Sequence, residues 1–343
     1  MDKPRIAITL GDVAGIGPEV AVRAVVTPVV REICRPCIVG DPVIVSRAVE
    51  VTGAALNVIT CSSLVEAVAV SSKADIGVWN PLGVSLSGVP PGRINGNAGR
   101  AAYEWLIAAV DGALTSEIDA IATAPLSKAA LHAGGFRYPG HTEILAERCG
   151  VKDFAMMLYL PPGGPVHGPY GLGIAHTTLH TSIASVPGLL SQKSIEATIG
   201  LVDRFLKRLG SERPRVGVCA LNPHAGEDGL FGDEEERLIE PAVRAARSDG
   251  IDAQGPFPAD TLIRRATLGE FDGLTAMYHD QGHIALKLIA FGTAVNVTLG
   301  LPIVRTSPSH GTAFDIAWQG KADATGMIEA IRTAAKLAGS KAG

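Results

Sequence analysis

The sequence is poor in aromatic residues and has no marked excess of charge of either sign. Aromatic residues make up 5% of its 343 positions, and the formal net charge is −4 with no basic run. Because a basic face is what binds a nucleic acid, we expect no nucleic-acid partner. Hydrophobic residues make up 47% and charged residues 19%, which argues against a disordered chain and indicates a globular protein.

Long apolar runs are also absent. No stretch approaches about 18 residues, the length that a membrane-spanning helix needs. The segment MDKPRIAITLGD enters a strand-like run early and lacks the apolar core and cleavage site of a signal peptide. We therefore expect a cytoplasmic protein with no membrane partner. The five cysteines are odd in number and scattered, so we expect no disulfide framework.

Three common catalytic motifs are missing. The sequence has no G-x-x-x-x-G-K-[ST], no H-E-x-x-H and no G-x-S-x-G, which disfavours a P-loop NTPase, a zincin protease and an α/β-hydrolase. The stretch Gly15-Ile16-Gly17 lacks the third glycine of the dinucleotide-binding fingerprint. It could bind a phosphate, but a plain helix entry is the preferred interpretation.

Short apolar runs alternate with longer segments of helical periodicity. Strand-like runs occur at residues 5–10, 37–40, 76–79, 120–123, 154–160, 172–176, 216–221, 274–278 and 294–299, and helical patterns at 97–113, 194–209, 233–246 and 323–337. This alternation predicts an α/β fold with a mainly parallel sheet flanked by helices. The length exceeds one simple core and predicts two lobes.

Three of the strand-like runs are followed by a histidine: His180 after LGIAH, His224 after VGVCAL and His279 after LTAMY. Ligands of open α/β sheets bind beyond the carboxyl ends of strands, and three imidazoles there suit an open divalent-metal site. Spacing alone leaves a metal site and unrelated structural histidines both open. His176 and His180 form an H-x-x-x-H pair, in which we expect one ligand and one supporting residue.

Several residues are candidates for binding an anion. Lys287 lies on the helix predicted after His279, and Arg305 lies between two apolar stretches. His141 and Thr142 begin another predicted helix, where free N–H groups and the helix dipole favour an anion. Each cation taken alone could instead be a solvated surface residue.

The motifs together resemble the 4-hydroxythreonine-4-phosphate dehydrogenase family. The matching segments are GDVAGIGPE (11–19), ATAPLSK (122–128), YPGHTE (138–143), LNPHAGEDGLFGDEE (221–235), PADTL (258–262), MYHDQGH (277–283), VNVTLGLPIVRTS (295–307) and HGTAFDIAWQGKAD (310–323). They span nearly the whole chain in order, and several are long and unusual, so the resemblance is specific.

The resemblance implies a two-lobed α/β fold like that of isocitrate and isopropylmalate dehydrogenases. Residues 1–137 with 295–343 would form the first lobe. Residues 138–294 would form the second, with most metal ligands and the dimer contacts. The resemblance further implies a homodimer, NAD (or NADP) as oxidant, and a divalent metal at the dimer interface with histidines from both chains. Zn²⁺ is expected first, with Mg²⁺, Mn²⁺ and Co²⁺ as alternatives.

Site residues follow from the resemblance motif by motif. The metal ligands would be His180, His224 and His279, with His180 preferred to His176. The substrate contacts would be His141, Thr142, Lys287, Asn296 and Arg305. Asp260 and Asp280 are candidates for the general base, and Lys287 for a further catalytic role. Asp280 would more readily orient a ligand histidine.

The family's reaction is the NAD-dependent oxidation and decarboxylation of a phosphorylated four-carbon hydroxy acid. The candidate substrates are 4-hydroxythreonine 4-phosphate and a threonate or erythronate 4-phosphate, and several motifs resemble the second, catabolic branch. A cis-dihydrodiol dicarboxylate is the alternative, although relatives of that type lack the equivalents of Asn296 and Arg305. The sequence departs from the family pattern at Val13, Ser127, Ser309 and the long segment 160–171, and these departures bear on the substrate more than on the reaction.

A different class also stays open, either a non-catalytic binding protein or an acyl transferase of related architecture. Neither would need both a metal site of three histidines and NAD. Tightly bound metal together with NAD reduction would therefore distinguish the dehydrogenase from both.

Overall fold

The structure, a computed structural model, describes residues 3–339, which form two compact units. The first unit comprises residues 3–151 and 301–339, and the second comprises residues 152–300. The sequence analysis placed the boundaries after residues 137 and 294. The helix at residues 141–149, which it assigned to the second lobe, lies in the first unit.

The first unit contains a parallel sheet of six strands in the order β3-β4-β2-β1-β5-β12. The strands are β1 (Arg5–Thr9), β2 (Arg35–Val39), β3 (Asn57–Cys61), β4 (Asp75–Trp79), β5 (Ala120–Thr123) and β12 (Arg305–Pro308). The helices are α1 (Gly17–Val25), α2 (Pro28–Ile33), α3 (Pro42–Thr52), α4 (Leu64–Val70), α5 (Gly96–Leu114), α6 (Lys128–Ala133), α7 (His141–Cys149) and α13 (Thr325–Gly339). Across residues 3–339, no helix is both long and apolar enough to cross a membrane.

The second unit contains a mixed sheet in the order β11-β6-β7-β10-β8-β9, with β6 antiparallel to both neighbours and the other pairs parallel. The strands are β6 (Ala155–Leu160), β7 (Leu172–His176), β8 (Arg215–Cys219), β9 (Asp252–Phe257), β10 (Gly273–Ala276) and β11 (Val295–Leu299). The α-helices are α8 (Val186–Leu189), α9 (Gln192–Arg208), α10 (Glu240–Ser248), α11 (Ala259–Thr267) and α12 (His279–Ala290). A short 3₁₀ turn covers Ile183–Ser185, Pro223–Gly226 forms a turn with left-handed backbone at His224 and Ala225, and Glu235–Ile239 forms a π-helix.

The predicted α/β fold with mainly parallel sheets and flanking helices is confirmed. The strands β7 and β10 are buried along their whole length, because helices cover the sheet and leave no face for polar side chains. Leu172, Ile174 and Leu274 lie in the core of the second unit. The loop between β6 and β7, which departs from the family pattern, is largely exposed and bonds to the end of α11 through His167 N and Thr267 O, 2.9 Å apart.

All five cysteines are free thiols in the structure. Four of them are buried. Burial raises the pKa of the Cys34 and Cys219 thiols to about 12, so both stay protonated and unreactive near neutral pH. Cys149 is partly exposed at the end of α7.

Candidate metal and substrate site

The sheet order brings the carboxyl ends of β7, β10 and β8 side by side, because β10 pairs in parallel with both neighbours. The pairing continues beyond β7 and β10. Thr177 N donates to Ala276 O at 2.9 Å, and Thr178 N donates to Met277 O at 3.1 Å. The two chain segments therefore leave the sheet together and carry the next histidines to the same edge.

His180 and His279 lie together at this edge, with ring centroids 5.6 Å apart. They line a groove of about 430 Å³ formed by residues 179–183, Val186 and residues 278–280. The Nδ1 atom of His279 is 2.6 Å from Asp280 Oδ1. This contact leaves the other ring nitrogen of His279 for a different partner, and it is the contact that an orienting role for Asp280 requires.

In the stretch MYHDQGH, only Met277 and Tyr278 separate the end of β10 from the start of α12. The helix α12 begins at His279 itself, whereas the sequence analysis predicted a helix only after this residue. Gln281 accepts a hydrogen bond from Met277 N and donates one to Ala220 O just beyond β8, both at 2.7 Å. Its amide thereby fixes the start of α12 against the neighbouring strand end, which explains why glutamine follows the His-Asp pair.

His224 lies on a turn with unusual backbone geometry. The φ angles of His224, Ala225, Glu227 and Asp228 lie between 46° and 56°, in the left-handed region that costs a non-glycine residue about 1 kcal/mol or more. The buried Glu235 carboxylate braces the entry to this turn by accepting from Leu221 N and Asn222 N, both at 2.8 Å. The His224 side chain is 72% exposed, and its Nδ1 is 3.0 Å from Glu227 Oε2.

The three predicted ligands are therefore not assembled within one chain. Among residues 3–339, no group of three or more His, Cys, Asp or Glu side chains is placed to hold a metal ion. The structure brings His180 and His279 together and leaves His224 outside that pair. The donor set nevertheless fits a divalent ion: His279 and His224 each contact a carboxylate through Nδ1, the arrangement typical of metal-binding histidines.

Two further histidines, His176 and His283, are buried behind this pair. His176 Nδ1 is 3.0 Å from Met156 O, and its Nε2 is 3.2 Å from His283 Nδ1. Both ring nitrogens of His176 thus have partners within the protein, which favours His180 as the candidate ligand of the H-x-x-x-H pair. Burial lowers the pKa of His176 to about 4 and that of His283 to about 2, so both rings are neutral near pH 7.

The sequence analysis did not find the role of His283. The signal was present in the spacing of His279 and His283, which places them on the same side of one helix once α12 is known to begin at His279. Their pairing with His176 links residues 107 positions apart and has no local signature.

Three of the predicted substrate contacts lie together in the first unit. His141 and the buried Thr142 begin α7, whose N-cap Gly140 supplies no side-chain cap. Arg305 is 2% exposed at the start of β12 and donates to Thr123 Oγ1 at 2.7 Å. Burial lowers the Arg305 pKa to about 9 against the opposing effect of Glu143, and burial together with Arg305 lowers the pKa of His141 well below its usual range. The buried Arg305 guanidinium, beside a helix start whose N–H groups have no side-chain cap, suits an anion.

The other predicted residues lie in the second unit. Lys287, on α12, has its Nζ 5.8 Å from the centre of the Phe291 ring. Asn296, on β11, has its Nδ2 3.3 Å from Met156 Sδ, and within residues 3–339 its buried Oδ1 has no hydrogen-bond partner. Asp260 is exposed at the start of α11 and accepts from Thr261 N at 2.8 Å, so its described contacts are local.

Comparisons with known proteins place the chain in a family. The family model described as pyridoxal phosphate biosynthetic protein PdxA matches residues 32–334. A 4-hydroxythreonine-4-phosphate dehydrogenase from Geobacter metallireducens is 44% identical over 98% of this chain and 96% of its own length. A D-threonate 4-phosphate dehydrogenase from Cupriavidus necator is 44% identical over 99% of this chain and 98% of its own.

Solved structures give the same result. The crystal structure of a 4-hydroxythreonine-4-phosphate dehydrogenase from Klebsiella pneumoniae is 41% identical and superposes with a TM-score of 0.84, covering 98% of this chain and 100% of that one. The fold and site thus define a two-unit α/β protein with a histidine-rich strand edge. The chain belongs to the pyridoxal phosphate biosynthetic protein PdxA family.

Proposed function

We propose that this chain is a dehydrogenase that uses NAD and a divalent metal to oxidise, and then decarboxylate, a 4-phosphorylated four-carbon hydroxy acid. The observation that carries the proposal is the groove beside His180 and His279, in a chain about as similar to 4-hydroxythreonine-4-phosphate dehydrogenases as to D-threonate 4-phosphate dehydrogenases. NADP is the alternative oxidant. A cytoplasmic homodimer, with His224 drawn from the partner chain, completes the proposal.

The chain's own residues have distinct tasks in this chemistry. His180, His224 and His279 would hold the divalent ion, most suitably Zn²⁺, which when bound lowers the pKa of a coordinated alcohol and polarises a carbonyl. Asp280 holds His279 in one tautomer. When bound, NAD would supply the acceptor for the hydride of the alcohol carbon, and the hydroxyl proton would pass to a base, for which Asp260 and Asp280 are the candidates.

The anionic ends of the substrate need cations. Arg305 supplies a buried guanidinium, His141 and Thr142 supply a helix start, and Lys287 and Asn296 supply further polar contacts. Arginine suits a phosphate because its planar guanidinium can donate two parallel hydrogen bonds.

One of the departures from the family pattern now has a structural explanation. The side chain of Ser127 accepts a hydrogen bond from Ala130 N and caps α6, so this position contributes to helix stability.

The test follows NADH formation with D- and L-threonate 4-phosphate, D-erythronate 4-phosphate and 4-hydroxythreonine 4-phosphate, using the Zn²⁺-loaded protein. We expect turnover of one acid, with loss of activity on chelation and recovery on metal return. NADP⁺ and a cis-dihydrodiol dicarboxylate are the comparison arms. Turnover of the dihydrodiol alone would overturn the phosphate assignment, and turnover that resists complete metal removal would overturn the metal role.

A further inference from the structure

Three imidazole rings form a column that runs from the interior of the second unit to the groove. The centroids of His176 and His283 are 4.7 Å apart, and those of His283 and His279 are 3.7 Å apart with planes only 13° from parallel. His176 is 1% exposed and His283 7% exposed, whereas the His279 side chain is 32% exposed. The column therefore has a fixed buried end and one ring at the surface.

Hydrogen bonding fixes the tautomer of the two buried rings. A carbonyl oxygen can only accept, so the contact with Met156 O places a hydrogen on His176 Nδ1. The Nε2 of a neutral His176 is then an acceptor, and His283 Nδ1 must donate to it. Each buried ring is therefore held in one plane and one protonation pattern by a chain of bonds that ends on the backbone of β6.

Stacking prevents His283 from being a second ligand beside His279. The lone pair of an imidazole nitrogen lies in the ring plane, and these two planes run nearly parallel. An ion at about 2.0–2.1 Å from both nitrogens would have to lie far out of at least one plane. The geometry suits a supporting surface and excludes a shared ligand pair.

The approach of α12 to β7 depends on Gly282. A Cβ at this position would be 2.5 Å from His176 Nε2 and 2.8 Å from Ile174 Cγ2. Any other residue would push the helix away from the strand and separate His283 from His176. The glycine between the two histidines of HDQGH is thus part of the same arrangement.

We propose that His283 is a positioning residue for His279: its ring fixes the plane of the His279 imidazole before any ion binds, and His176 in turn holds His283. This inference rests on the proposed role of His279 as a metal ligand. Asp280 sets the tautomer of His279 through Nδ1, and His283 sets the tilt of its ring face. Together they aim the remaining nitrogen in one direction.

The experiment measures Zn²⁺ and Co²⁺ affinity by competition with a chromophoric chelator, and the absorption spectrum of the Co²⁺ form. It compares the full-length wild-type chain with His279→Ala, His283→Leu and His283→Phe. We expect His279→Ala to abolish tight binding. We expect His283→Leu to weaken binding by about 10- to 100-fold and to alter the Co²⁺ spectrum, as losses of ligand-supporting residues do. His283→Phe keeps a flat face and should recover part of the affinity.

The outcomes separate the two proposals. His167→Leu removes an exposed histidine of the same unit outside the column and should leave affinity and spectrum unchanged. Weak binding by His279→Ala with unchanged binding by His283→Leu would overturn the positioning role and leave the proposed function intact. Wild-type affinity in His279→Ala would remove the ligand role itself, and the positioning role with it.

A measurement on the unsubstituted, metal-free protein tests the proposal even if a variant fails to fold. With ¹⁵N-labelled histidine, long-range ¹H–¹⁵N correlation distinguishes the two tautomers of each ring. We expect His283 to carry its hydrogen on Nδ1, with its signals assigned by their loss in His283→Leu. A hydrogen on Nε2 would contradict the column and overturn the inference.

Discussion

At the scale of single residues, two buried ionisable side chains of the first unit, Arg305 and Asp12, differ in their neighbours and hydrogen-bond partners. Arg305 is held beside His141 and Glu143, and its guanidinium already donates to Thr123. Asp12 is fully buried after β1, where Oδ1 accepts from Ala14 N at 2.9 Å and, among the described residues, Oδ2 has no hydrogen-bond partner. A buried charge destabilises the folded state unless hydrogen bonds or an opposite charge offset the loss of its hydration.

Replacing Arg305 tests the anion role. We expect Arg305→Ala to raise KM for the phosphorylated substrate by about tenfold or more, since a hydrogen bond to a charged group contributes about 1.5–3 kcal/mol. Steady-state kinetics on the accepted acid give KM and kcat separately. Arg305→Lys keeps the charge and should recover part of the loss. An unchanged KM in Arg305→Ala would refute the phosphate role.

Asp12 should make the stability of the first unit depend on pH. Burial raises its pKa from 3.8 to about 6, so between these values the native state binds more protons than the unfolded state and stability falls as pH rises. Asp12→Asn should therefore gain stability over wild type between pH 4 and pH 7, by up to about 3 kcal/mol. Urea unfolding followed by tryptophan fluorescence reports this unit, which holds all three tryptophans.

The control for this measurement is Asp315→Asn, which removes an exposed carboxylate of the same unit. Its stability difference from wild type should stay flat with pH. If the stability difference between Asp12→Asn and wild type were equally independent of pH, burial would not be the dominant influence on the pKa of the Asp12 carboxyl.

At the scale of elements, the turn that carries His224 depends on the start of the following π-helix. Asn222 Nδ2 donates to Glu235 Oε2 at 2.9 Å, and the other carboxylate oxygen accepts two backbone N–H groups. A Cβ on Gly226 would be 2.9 Å from the same carboxylate. The separated Asn-Pro-His and Asp-Glu-Glu parts of this motif are therefore one structural unit.

We expect Glu235→Gln to loosen the turn. An amide would present a donor to Asn222 Nδ2 or to the backbone N–H pair, and an unsatisfied buried polar group costs about 1–3 kcal/mol. Hydrogen exchange should quicken in residues 221–232 relative to the rest of the second unit. Glu236→Gln changes the exposed neighbouring residue and should leave exchange as in wild type. Equal exchange in both variants would show that Glu235 does not hold the turn.

The sequence predicted the elements that have a strong local pattern. The apolar runs of β5 and β7 match the observed strands end to end. The strands β3, β9 and β12 were missed: β3 is largely exposed, β9 contains Gly-Pro, and β12 is the polar stretch RTSP that tertiary packing buries. Propensity alone cannot reveal a strand that its neighbours define.

The candidate site was predictable to a similar degree. Ligands of open α/β sheets bind beyond the carboxyl ends of the strands, so a shared edge for His180 and His279 could be anticipated. The left-handed backbone of His224 could not, because non-glycine residues adopt it only when surrounding contacts such as those of Glu235 enforce it. Nor could the burial of His176 against His283.

At the scale of the whole molecule, an apolar stripe along α12 and the residue after it is a candidate surface for the proposed homodimer. Ile284, Leu288 and Phe291 recur at helical spacing and are 57%, 83% and 60% exposed. Contiguous exposed apolar residues mark interaction surfaces. The stripe shares its helix with His279, which fits a metal site completed by a second chain.

We expect Leu288→Glu to shift the proposed homodimer to monomer and to weaken Zn²⁺ binding in parallel, because the partner's ligand would be lost. Sedimentation velocity gives the association state, and chelator competition gives the affinity. Leu268→Glu places the same charge on another exposed leucine of the unit and should change neither. A dimer that survives Leu288→Glu would exclude this stripe as the interface, and full affinity in a monomer would refute shared ligands.

The partly exposed Cys149 thiol allows a dye to be attached to the first unit. Since the other four cysteines are buried, Cys149 is the position that a maleimide dye should label without any substitution. Burial raises its pKa above the ordinary value, so conjugation calls for mildly alkaline buffer. The dye would lie at the opposite end of the short helix that begins with His141 and Thr142. Its emission would then serve as an optical sensor of anions arriving at that helix start.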